Sequence, residues 1–166
     1  LNLKKINKIE GGFSLIELIV VCAIISIIVG VVLLNFRGFQ TKDTLDIAAR
    51  TLASDLRWSQ NAAMSGLSQG ANKVYGYGIH FVQNTNNYII FYNQNSSKTY
   101  GGSSSVRTVT LPSKITITSV TADVYFVPPD PTTYLNNNPS GSVTIELSYG
   151  TNKKQVIVNS SGLISY

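Results

Sequence analysis

The sequence predicts an α+β fold, in which one long N-terminal helix packs on a head of about seven short, mostly antiparallel strands. Three features predict it. Between Leu18 and Leu34 no residue carries a formal charge, and only Cys22, Ala23, Ser26 and Gly30 interrupt the large aliphatic side chains. Such a run is long enough to cross a bilayer as one helix. Beyond it Leu45, Ala48, Ala49, Leu52, Leu56, Ala63 and Leu67 recur at spacings of three, four and seven, with Asp43, Asp46, Arg50, Asp55 and Arg57 largely elsewhere on the wheel. That is the period of an amphipathic helix. From Asn72 the period changes to two, as in strands with one buried face.

The N-terminal end sets orientation. Lys4, Lys5 and Lys8 precede the apolar run, which holds the N-terminus in the cytoplasm and sends everything after Phe36 outward. A cleavable secretory signal is cut after its apolar region at small residues, and Asn35-Phe36-Arg37-Gly38-Phe39 offers no such site. Glu17 lies just inside the apolar segment. An unpaired acid costs about 2.5–3.5 kcal/mol at the centre of a membrane helix and less near its end, so a partner charge is expected. Cutting between Gly12 and Phe13 would create one, a free amine at the start of the same segment. Uncut, the stretch is a plain signal anchor with Glu17 at the membrane surface.

Helical propensity is weakest from Asn35 to Thr41, around Gly38, and the amphipathic pattern ends near Gly66. In the head, Tyr75, Tyr77, Ile79 and Phe81 alternate with Gly76, Gly78, His80 and Val82, giving one aromatic and one lighter face. Tyr88 to Tyr92 is a continuous apolar strand joined to the first by the Asn-rich Gln83 to Asn87. Asn93 to Ser105 is a polar loop, followed by strands at Val106 to Leu111, Lys114 to Val120 and Asp123 to Val127. Pro128-Pro129-Asp130-Pro131 stops the last of these, and Thr132 to Gly141 is a polar insertion. Val143, Ile145, Leu147 and Tyr149 show the clearest alternation, and turns at Gly150 to Asn152 and Ser160 to Gly162 lead into the final strands.

Composition narrows the chemistry. The 166 residues amount to one domain, with a weak formal charge of +5. Outside the apolar run the chain is rich in Asn, Ser, Thr, Tyr and Gly, as exported β-rich domains are. Cys22 is the sole cysteine, so no intramolecular disulfide forms, and it reads as a small apolar packing residue. His80 is the sole histidine, which leaves neither a multi-histidine metal site nor a conventional serine–histidine constellation. Asp123 and Asp130 are calcium candidates whose spacing matches no calcium loop. The strand tyrosines could stack bases, and Lys73, Arg107, Lys153 and Lys154 could touch phosphates, but nothing clusters them in sequence. The expectation is a chain without enzymatic activity, cofactor or metal, with partner recognition in the loops at 93–105 and 132–141.

Gly11-Gly12-Phe13-Ser14-Leu15-Ile16-Glu17 and the apolar run after it resemble the type IV prepilin signature: a basic leader, Gly before the cut, an aromatic after it, and Glu as the fifth residue beyond. The resemblance implies a type IV pilin-like fold and processing by a membrane-embedded prepilin peptidase, which would cut after Gly12 and lead to N-methylation of Phe13. It also implies that Glu17 neutralises the amine of Phe13 on a neighbouring pilin or pseudopilin subunit during assembly on an inner-membrane platform. The implied organisation is a cleaved leader at 1–12, a transmembrane and assembly helix at 13–36, an amphipathic helix at 37–70 and an exported head at 71–166.

Ala49-Arg50-Thr51-Leu52-Ala53-Ser54-Asp55-Leu56-Arg57, Asn61-Ala62-Ala63, Tyr77 to Ile79, Leu111-Pro112 and the Ser-Ser-Gly turn near the C-terminus resemble more loosely the H-type minor pseudopilins of type II secretion and the T-type fimbrial minor pilins. This implies a minor structural subunit of such a filament. Some T-type relatives bind DNA through arginines after the final Gly, the alternative function being a DNA-binding minor pilin for uptake. Here Leu163, Ile164 and Ser165 follow Gly162, so that carry-over fails at the residues concerned. Major pilins often carry a proline in the membrane helix, and none lies between Phe13 and Phe36.

Overall fold

The computed structural model describes residues 12–68, 70, 73–101, 105–119, 121–129 and 132–166, with the backbone alone at 34–40. The leader's Lys4, Lys5, Lys8 and Glu10, and the calcium candidate Asp130, lie outside these residues. Two compact units are present, one ending at Phe39 and the other comprising Gln40–Tyr166.

Helix α1 spans Leu15–Met64. It starts where it does because Ser14 caps it: the Ser14 hydroxyl accepts the Glu17 N–H at 3.3 Å, and the Ser14 carbonyl accepts from Glu17 and Leu18 at 3.1 and 3.2 Å. The backbone stays helical across the weak 35–41 stretch. In the first unit, Leu15–Leu33 has a mean hydropathy of 3.1 and no buried residue, a helix long and apolar enough to cross a membrane. Its one hydroxyl, on Ser26, donates to the Cys22 carbonyl at 2.8 Å. At the other end Gly66, with φ near +64°, lets its own N–H reach Ala63 and the Leu67 N–H reach Ala62, both at 3.1 Å. This left-handed cap ends the helix at Met64, so Leu67 falls beyond the apolar stripe and is exposed.

The second unit is the β head with the later turns of α1. Leu45, Ala48, Ala49, Leu52, Leu56 and Ala63 are buried as their spacing predicts. Leu52 and Leu56 are fully buried, each worth about 1.5–3 kcal/mol of transfer free energy. Nine strands are described, against about seven expected: β1 (Gly76–Phe81), β2 (Asn87–Asn93), β3 (Ser105–Thr110), β4 (Thr116–Ile117), β5 (Ala122–Phe126), β6 (Thr133–Leu135), β7 (Ser142–Tyr149), β8 (Asn152–Asn159) and β9 (Ile164–Ser165). They form two antiparallel sheets, ordered β3-β2-β1-β5-β6 and β4-β7-β8-β9. One apolar cluster joins α1 to both. The unexpected strand is β6, inside the segment read as a polar insertion, where Thr133 and Leu135 turn inward.

The two faces of β1 differ as the alternation requires. Tyr77, Ile79 and Phe81 are fully buried in the cluster with α1. Gly76 and Gly78 on the lighter face lie under Tyr125 and Phe91, whose rings stack at 5.7 Å. No side chain would fit between these glycines and the rings.

The flank of α1 nearer the second sheet is tied down by charge. Asp46 accepts from Arg50 Nε and from Lys154 Nζ, both at 2.7 Å. The hydrogen bond from Lys154, and next that from Arg50, hold the Asp46 carboxyl below its ordinary value of 3.8. A carboxylate with a depressed folded-state pKa contributes stability above its unfolded value and loses it as pH falls through the folded one. Acid unfolding below about pH 4 is therefore expected to be shallower in Asp46→Asn than in the parent. Parallel acid limbs in a pH titration of ellipticity would refute the linkage.

Candidate functional site

The candidate site is the junction before α1. Gly12 and Phe13 precede the first helical residue, outside the hydrogen-bond ladder that Ser14 begins. Phe13 is 84% exposed and nothing lies within 4 Å of where a Gly12 side chain would start. Among the described residues the Gly12–Phe13 peptide bond is thus uncovered and outside the helix. A helical bond would first have to unwind, at the cost of its ladder hydrogen bonds.

Glu17 is in the first turn, three residues after the cap. Ser14-x-x-Glu17 is the spacing of a capping box, and an acid there also complements the positive end of the helix dipole. Ser14 is the residue that the sequence reading left without a role, although the spacing signals it. Among the described residues no cation pairs with Glu17; the described ion pairs all belong to the second unit.

The other candidates have intramolecular tasks. His80 Nδ1 lies 2.6 Å from Asp123 Oδ1, and its ring stacks on Tyr100 at 4.8 Å. The Tyr100 N–H donates to the other Asp123 oxygen at 3.2 Å, and the Asp123 N–H donates to Asn136 Oδ1 at 2.8 Å. Asp123 thereby fastens two loops to the first sheet, and among the described residues no cluster could hold a metal ion. The cations weighed for phosphate contact are also engaged. Lys73 lies over Tyr75 at 4.8 Å, Arg107 binds Asp55, Lys153 pairs with Glu146 at 2.9 Å and Lys154 with Asp46.

Asp55 was expected on an outer face and is buried instead, because the Tyr88 hydroxyl donates to it at 2.6 Å and Arg107 closes on its other oxygen. These partners are 33 and 52 residues away, beyond the reach of a helical wheel.

Residues 7–33 match the family described as the prokaryotic N-terminal methylation motif. Comparison with curated proteins and with solved structures gave no match.

Proposed function

We propose that this chain, type IV pilin-like in its N-terminal motif and α+β fold, is a structural subunit of a type IV pilus or type II secretion-like filament, as a minor pilin or minor pseudopilin. The observation that carries the reading is the matched motif with its Gly12–Phe13 bond exposed and outside the helix. Hydrolysis of that bond by a prepilin peptidase takes up one water and releases residues 1–12, leaving an amine on Phe13 that is then methylated. The 13–36 helix anchors the subunit in the inner membrane, with the N-terminus cytoplasmic and the 71–166 head outside, until an assembly platform extracts it. Burial of the aliphatic faces of neighbouring helices then drives cohesion. Glu17 pairs with the Phe13 amine of a neighbour and fixes register, as a buried pair can.

The test is intact mass and N-terminal analysis of the protein purified from membranes with and without an active peptidase. The expected product starts at Phe13 and carries one methyl group. An uncut chain beside an active enzyme would leave a membrane-anchored β head as the better account. Glu17→Ala separates the two halves of the reading: cleavage is expected to persist while incorporation into filaments falls. Parental incorporation of that variant would refute the pairing.

A further inference from the structure

We propose that the outward edge of β3, with the adjoining flank of α1, receives an extended strand from a partner polypeptide that is apolar at alternate positions and carries one carboxylate, placed near Arg107. The inference stands apart from the processing reading and uses the second unit alone.

The sheet edges are unequal. β4 is closed by Thr85, which accepts from Ile117 N–H at 2.8 Å. β6 donates from Thr133 N–H to Ser160 at 3.3 Å and bridges Asn138 through Leu135. β9 is held to α1 by Arg57, which donates to the Ile164 carbonyl at 3.4 Å, and by Gln60, which donates to Gly162 at 3.3 Å. Among the described residues nothing bonds to the outward side of β3. The Leu111 N–H to Asn86 bond, at 2.7 Å, sets the alternation. Val109 and Arg107 turn their backbone groups to β2, and Thr108 and Thr110 turn theirs outward. Edge strands are commonly blunted with lysine, proline or irregular backbone. The register shifts between Ser105 and Arg107 and is regular from Arg107 to Thr110, which include neither lysine nor proline.

A strand added here would lie about 4.8 Å from β3 and send alternate side chains toward α1. That flank is prepared for apolar contact. Ile47, Thr51, Ser54 and Trp58, at spacings of four, three and four, are exposed and without charge. A cleft of about 190 Å³ separates Ile47 and Thr51 from Val109, Leu111 and Pro112. The opposite flank of the helix, in contrast, has Asp46, Arg50 and Arg57 all bonded. At one end the Arg107 side chain, paired through one nitrogen with the buried Asp55, is 54% exposed above Trp58, so its remaining N–H donors face an occupant.

Trp58 is the only tryptophan and lies under Arg107, so its fluorescence reports on that end of the edge. The full chain in lipid nanodiscs is titrated with the peptide Thr-Val-Glu-Val-Thr-Val-Thr and with a control in which the central Val is Pro. The first peptide is expected to shift Trp58 emission to the blue and protect it from acrylamide, saturably and below about 1 mM. The control is expected to be inert. Ile47→Asp, at a position 64% exposed, is expected to keep the parental melting temperature and weaken binding at least about tenfold. Equal responses to the two peptides, no saturable response up to about 1 mM, or peptide binding unaffected by Ile47→Asp would overturn the proposal. A Trp58 shift that follows protein concentration and is not competed by peptide would assign the edge to a second copy instead.

Discussion

Gly78→Val is expected to destabilise the head by about 3 kcal/mol, as overpacking against backbone does at its upper end. A side chain beginning at Gly78 would meet the Val124 carbonyl oxygen at 2.6 Å and the Phe91 ring at 2.8 Å. The ring could rotate, but the carbonyl belongs to the β1–β5 ladder and moves only if the ladder opens. Gly76 is tighter still, at 2.3 Å from the Phe126 oxygen. Gly101→Ala serves as the control, since nothing lies within 4 Å of that position. A urea midpoint for Gly78→Val no lower than that of Gly101→Ala would show that the two strands separate more readily than their pairing suggests.

Asp55→Ala is expected to cost about 2–3 kcal/mol, less than a fully buried ion pair because Arg107 is half exposed. The loss comes from the Tyr88 hydroxyl, which is buried and keeps no acceptor once the carboxylate is gone. Burial first, and the Asp55 carboxylate second, push the Tyr88 phenol far above its ordinary range. Adding Tyr88→Phe to Asp55→Ala removes the orphaned hydroxyl, so the double variant should be less destabilised than the sum of the singles. Strict additivity in calorimetry would mean that the two groups do not depend on one another.

How much of this the sequence carried depended on distance along the chain. The amphipathic pattern of α1 is local, repeating within one or two turns, and six of its seven expected apolar positions are buried, Leu67 lying past the cap. β1 and β7 were legible for the same reason, each alternating with a period of two. β6 was not: it is three residues long between a proline-rich stretch and an asparagine triplet, and its burial comes from β5 and the turn at Ser160. Asp55 looked like any surface acid of an amphipathic helix, because its partners are on β2 and β3. At the candidate site Gly12, Phe13 and Glu17 stand together in sequence, so their spacing could be read directly. Ser14 could have been read as the helix cap from the same stretch.

The Ser26 hydroxyl takes its acceptor from Cys22, one turn earlier on its own helix. A hydroxyl satisfied in this way makes the same bond in lipid, beside another subunit, or in transit between them. On the function proposed above, the helix would change solvents without exchanging a polar partner at Ser26, and no hydrogen bond there would have to break on leaving a bilayer. In an environment where each unmet polar group costs several kcal/mol, that self-sufficiency would spare the transfer a hydrogen-bond penalty at Ser26. The difference between the two surroundings then falls on side-chain packing and on Glu17, the one carboxylate in the span.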